Sequence, residues 1–112
     1  MTTDEQNTSD TAKMRALSDP LRQQILGVLL QEQTRSGISP REISQTLHVP
    51  LSTVSYQVRV LAACDVITLI GTKRVRGATQ HFYSLSPTFM GLPWVSAVLE
   101  AIIPNLRKEE PG

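Results

Sequence analysis

There is one cysteine among the 112 residues, Cys64, so no disulfide can form within the chain and cross-links cannot stand in for a hydrophobic core. A lone thiol fits a reducing compartment, and a cytoplasmic location is expected. No apolar run approaches the roughly 20 residues needed to span a bilayer, so no membrane partner is expected. The opening MTTDEQNTSD has neither a basic start nor an apolar stretch. It is not expected to act as a secretory signal, and it reads as a disordered polar tail over residues 1–10. A large charge of one sign is also missing: 11 Lys and Arg stand against 10 Asp and Glu, for a formal +1. The total therefore points to no particular partner. The usual marks of catalysis are absent too, with no Gly-rich phosphate loop, paired carboxylates, nucleophile beside a plausible His, or metal set. The chain is not expected to be an enzyme, and no catalytic residue, metal or cofactor is assigned to it.

What is present is an ordinary globular balance, 40% hydrophobic and 19% charged, in a length that suits one domain with a modest core. The charge is unevenly spread. Asp4, Glu5 and Asp10 make the tail acidic, whereas residues 41–85 carry Arg41, Arg59, Lys73, Arg74 and Arg76 against Glu42 and Asp65. Basic charge thus gathers in the middle of the chain.

The order of elements is legible from caps and periodicity. Thr11 to Leu17 suits a short helix with Met14 and Leu17 on one face. Asp19-Pro20 then starts a helix to about Gln33, because Asp accepts from exposed amides and Pro tolerates the first position. Leu21, Ile25, Val28 and Leu29 recur along it at helical spacing. Thr34 to Gly37 is a loop. Ser39-Pro-Arg-Glu42 is a capping box that opens a helix to Leu47, burying Ile43 and Leu47. His48-Val49-Pro50 ends it, since a residue before proline disfavours helical angles. Leu51 to Ala63 follows as a helix with Val54, Val58 and Leu61 inward. Val66–Gly71 and Gln80–Leu85 read as strands, with Thr72–Ala78 as a basic hairpin tip whose Gly77 can take a positive φ. From Pro87 a last helix is expected, to about residue 107, with Pro104 bending its end. Residues 108–112 are a tail.

This α-α-α-α-β-β-α order, mainly helical with a small β-hairpin, has the parts of a winged helix-turn-helix over residues 11–86. The second helix of such a pair enters the major groove of DNA, which is about 12 Å wide. With Val54, Val58 and Leu61 inward, Ser52, Ser55, Tyr56 and Arg59 turn outward, flanked by Thr53 and Gln57. Hydroxyls suit phosphates or base edges, and Gln and Arg offer bidentate contacts to adenine or guanine. Lys73, Arg74 and Arg76 on the hairpin suit the backbone or the minor groove. His81 is expected on a strand surface, and Cys64 as a small buried residue.

The run ALSDPLRQQILGVLL, then ISQTLHVPLSTVSYQVRVLAACDVI, resembles the ArsR-type winged-helix transcriptional repressors. The likeness covers about residues 14–85. Its best marks are Ser-Asp-Pro-Leu-Arg at 18–22, Leu-Ser-Thr-Val-Ser at 51–55, Val-Arg-Val-Leu at 58–61, and Val-Arg-Gly-Ala with Phe-Tyr-Ser-Leu in the hairpin. The resemblance implies a homodimer built from the first and last helices, with one reading helix per half-site. It matches Ser52, Thr53, Ser55, Tyr56 and Gln57 to the reading residues, and Lys73 to Arg76 to the wing. Metal-sensing members carry paired cysteines by the reading helix, or a His/Asp/Glu set on the last helix. Here only Cys64 is available, and Thr88 to Asn105 contains Glu100 alone, so the likeness is to a member that does not sense metal. The wing is longer than in compact metal sensors. Asp65 stands where the family often has Gly, and Asp tolerates that left-handed turn.

The last segment is more apolar than so small a domain can cover. Trp94, Val95, Val98, Leu99, Ile102, Ile103 and Leu106, with Met14 and Leu17, are the expected dimer contact. Repression by blocking polymerase access is the expected outcome on DNA. The alternative is a winged helix used only for protein–protein contact, through Tyr56 and Val60. A small-molecule effector near Trp94 is compatible with the sequence, but no residue points to one.

Overall fold

Each of four helices begins where a side chain takes up a free amide. The computed structural model describes residues 9–31 and 36–103. Helix α1 (Asp10–Ala16) is capped by Ser9, whose Oγ accepts from Ala12 N at 3.1 Å. Helix α2 (Pro20–Gln31) opens on Asp19, whose carboxylate accepts from Arg22 N at 3.0 Å. The capping box of α3 (Pro40–Leu47) is complete, with Glu42 N donating to Ser39 Oγ and Ser39 N donating to Glu42 Oε1. After α4 (Leu51–Ala63) come strands β1 (Ile67–Val75) and β2 (Ala78–Leu85), then α5 (Pro87–Met90), capped by Ser86, and α6 (Val95–Ile102). Ser9 and Asp10, expected in the tail, instead cap and open α1. Residues 1–8, 32–35 and 104–112, which hold the rest of that tail, the last two residues expected in the second helix, most of the loop expected after it, Pro104, Leu106 and the final tail, lie outside the described residues.

The break between α3 and α4 falls at His48, where the sequence places it. His48 turns left-handed, φ +58°, and its N–H donates back to Ser44 O. Val49 N also donates to Ser44 O, at 3.2 Å. A second left-handed residue, Asp65 at φ +63°, closes α4, and Val66 N donates to Leu61 O at 3.0 Å across it. Replacing Asp65 by glycine removes the steric cost of that backbone conformation. Asp65→Gly should therefore stabilise the fold by roughly 0.5–1 kcal/mol in urea unfolding, after the added freedom of the unfolded chain is subtracted. A loss of stability would mean that the Asp65 carboxylate does more than tolerate the turn.

Ile25, Leu26, Ile43, Val54, Val58, Leu61 and Val66 are fully buried and form the centre of the core. Ile43 takes the inward place expected for it, while Leu47 is only half-buried. The hairpin differs from its sequence-based outline. Its strands run to Val75 and from Ala78, joined by the two-residue turn Arg76-Gly77 with φ +53° and +83°. Two consecutive positive φ values are the geometry of the turn whose twist matches paired strands, so pairing continues to the very end. Lys73 pairs with Gln80 and Arg74 with Thr79. These two bases are therefore strand residues on opposite faces rather than members of a loose tip.

The hairpin is stitched to the helices at Ile38. Ile38 N donates to Tyr83 O at 2.9 Å, and Tyr83 N returns a bond to Ile38 O at 3.0 Å. Gly37 lets the backbone approach: at φ +78°, a Cβ there would sit 2.8 Å from both Ile70 Cδ1 and Tyr83 O.

The C-terminal helix expected from Pro87 is instead two helices, separated by Gly91-Leu92-Pro93-Trp94. Gly91 closes α5 and Pro93 offers no N–H for a continuous ladder. This break turns Phe89, Val95 and Leu99 into the core of the same chain, with exposures of 0%, 0% and 2%.

Candidate nucleic-acid interface

The apolar stripe of α4 sets what the rest of that helix presents. Val54, Val58 and Leu61 are buried to 1% exposure or less, which leaves Ser52, Thr53 and Arg59 exposed and Tyr56 57% exposed. Ser55 and Gln57 lie half-buried on the flanks. No side chain caps the start of this helix, where Pro50 stands. Its first-turn amides carry the positive end of the helix dipole toward the same surface.

The hairpin stands beside α4, and an open groove of about 630 Å³ runs between them. Ser39, Arg41, Leu51 and Ser55 line its helical side; Arg76, Thr79, Gln80 and His81 line its hairpin side. Among the described residues, no carboxylate lines it. Lys73, Arg74 and Arg76 are all exposed, but only Arg76 reaches the groove. Sequence alone does not assign Arg41, Thr79 or Gln80 to this surface. Arg41 lies at the start of a different helix, and a strand boundary expected at Gln80 puts Thr79 outside the strand.

Gln57 is not a free amide. Its Oε1 accepts from Arg22 Nη1 at 2.7 Å, and Arg22 Nε in turn donates to Ala16 O at 2.7 Å. Arg22 thus ties the end of α1 and the start of α2 to the flank of the α4 face. Nothing in the linear spacing of residues 22 and 57 announces this bond.

Of the residues expected to meet a second copy, Met14 is 49% exposed, and Trp94, Val98 and Ile102 are half-buried. Leu17, Val95, Leu99 and Ile103 pack inside their own chain instead. Trp94 also has internal partners. Its indole N–H donates to the Asp10 carboxylate at 3.1 Å, and its ring meets Phe89 edge-on, with centroids 6.2 Å apart.

Cys64 is buried, and its thiol donates to Leu61 O at 3.6 Å. Burial pushes the thiol pKa up, which keeps it in its unreactive neutral form near pH 7. His81 is exposed on β2, as expected of a strand-surface histidine. Among the described residues, no three His, Cys, Asp or Glu side chains are grouped as metal ligands. Nor is any described helix long and apolar enough to cross a membrane. A second cavity of about 440 Å³ lies between α2, α3 and the end of α6, lined by Gln23, Val28, Leu47 and Ile102 among others. Trp94 does not line it.

Comparison with known proteins follows the same outline. Residues 17–70 match the family model described as a helix-turn-helix domain. No curated protein sequence matches the chain. Among solved structures, HlyU from Vibrio cholerae is 22% identical with a TM-score of 0.58, the alignment covering 91% of this chain and 94% of that one. A reduced form of HlyU from Vibrio cholerae gives 23% identity and a TM-score of 0.61, covering 87% of each chain. The transcriptional regulator HlyU from Vibrio vulnificus gives 21% identity and a TM-score of 0.57, covering 88% of each chain. At these identities the likeness is one of fold. The element order, the antiparallel hairpin beside α4 and these superpositions make the chain a winged helix-turn-helix in fold.

Proposed function

We propose that this chain is a sequence-specific double-stranded DNA-binding transcriptional regulator, acting in the cytoplasm as a homodimeric repressor. The observation that carries this reading is the surface made by α4 and the hairpin. An outward helix face of hydroxyl, phenol and guanidinium groups borders a groove lined by no carboxylate among the described residues, with Arg41 and Arg76 on its two sides. A helix of 13 residues with an open N-terminus has the size and polarity to enter a major groove. Ser52, Thr53, Tyr56 and Arg59 are then the reading residues, and Lys73, Arg74 and Arg76 hold the flanking backbone or minor groove. The helix-turn-helix match over residues 17–70 and the regulator named among the similar structures support the same reading.

Dimerisation is assigned to the seam of α1 and α6, where Met14, Trp94, Val98 and Ile102 keep surface available. A two-fold pair would present reading helices about 34 Å apart, one turn of the duplex. Purified protein incubated with random duplexes at about 150 mM salt, where the Debye length is roughly 8 Å, provides the test. Selection and sequencing should recover a near-palindromic motif with half-sites one turn apart. An unenriched pool would discard this reading and leave α4 as a protein-contact surface.

A further inference from the structure

We propose that Arg22 is a positioning residue that fixes the orientation of the Gln57 amide, so that its NH₂ is the group offered to DNA. This rests on the DNA-binding function proposed above. A free glutamine amide can turn over and offer DNA either its oxygen acceptor or its NH₂ donor. A guanidinium has donors only, so whichever amide atom faces Arg22 must be the oxygen. That atom, Oε1, is 2.7 Å from Arg22 Nη1. The guanidinium is itself held, because Nε donates to Ala16 O at 2.7 Å and the backbone of Arg22 donates to the Asp19 cap. It cannot swing away without giving up a backbone carbonyl at the end of α1. The amide of Gln57 is therefore locked with its NH₂ turned away from Arg22, on the flank of the outward face of α4. The DNA group that suits this NH₂ is an acceptor: a phosphate oxygen, or a base-edge oxygen or ring nitrogen.

The test uses the full chain and the duplex recovered by selection, with Kd measured for Arg22→Met, Gln57→Ala and the double variant, and melting temperature followed in parallel. Loss of one net hydrogen bond predicts about a fivefold rise in Kd for each single variant. The double variant should be no weaker than Gln57→Ala, because Arg22 acts through Gln57. Gln57→Glu keeps an acceptor for Arg22 but has no donor; it should hold the melting temperature and still lose DNA affinity. Single methylphosphonate linkages separate the two acceptor sources. If neutralising one linkage costs wild type but not Gln57→Ala, the acceptor is a phosphate; if only a base-pair change does so, it is a base edge. Either result supports the assignment. Multiplicative losses in the double variant would overturn it, as would Gln57→Glu binding like wild type. Failure of wild type to bind any duplex would instead remove the underlying function, a result distinct from all of these.

Discussion

Phe89→Ala is expected to cost about 3–5 kcal/mol of folding stability, a large share of what a domain of this size possesses. Phe89 is the largest of the completely buried side chains, and it sits on a helix of four residues that has little hydrogen bonding of its own. Its ring fills the space between α5 and the start of α6 and meets Trp94 edge-on. Truncation leaves a void whose walls are anchored on both sides: Ser86 N is bonded to Val66 O, and Val95 N to Leu92 O. Walls held in this way cannot collapse fully, so the cavity term adds to the lost transfer energy. Urea unfolding measures the loss, and Phe89→Leu, which keeps most of the volume, should cost less than about 1.5 kcal/mol. A loss below about 1 kcal/mol for the alanine variant would show that α5 does not hold the C-terminal segment to the core.

Arg59→Ala should weaken binding to the selected duplex by about 1–3 kcal/mol, roughly 5- to 150-fold, while leaving binding to unrelated DNA nearly unchanged. Arg59 is exposed on the outward face of α4, where its fork can address a base edge. Changes at the hairpin should behave differently. Lys73→Gln or Arg76→Gln should weaken all duplexes alike and lower the slope of log K against log salt by about 0.9 for each phosphate no longer neutralised. Titrations of specific and unrelated duplexes across salt concentration separate the two patterns. If Arg59→Ala weakened both kinds of DNA equally, Arg59 would address the phosphate backbone and the reading face would have to be redrawn around Tyr56.

Much of this fold is written in local chemistry that a sequence exposes. Asp19-Pro20 and Ser39-Pro-Arg-Glu42 set two helix starts through bonds within four residues, and both helices begin there. The inward phase of α4 follows from three apolar residues at helical spacing. What a sequence hides are features decided at longer range or by turn geometry. Arg76-Gly77 has the look of a loop until its paired positive φ values draw the strands together. Gly91 and Pro93 are ordinary breakers, but the apolar periodicity around them masks the break, and Phe89 goes unnoticed as a core residue. The same periodicity assigns Val95 and Leu99 to a partner, although a domain this small has need of them itself. The Arg22–Gln57 bond spans 35 positions and is invisible to any local pattern.

The stitch between Ile38 and Tyr83 has a mechanical consequence. Ile38 lies immediately before the capped start of α3, and Tyr83 lies five residues beyond the start of β2, so the hairpin is a lever roughly 17 Å long with its fulcrum at the helical body. The ladder is interrupted once, by the register shift between Leu69 and Gly71 just outside the stitch, and is regularly paired from Gly71 to the turn, so the ribbon bends most readily beside its fulcrum. The helix and the hairpin together form a caliper whose opening is set at this one joint. Under the proposed function, a duplex seated between its jaws would share the adjustment with that joint, and the stiffer the joint, the more the sequences that deform readily would be favoured, even at base pairs no side chain touches.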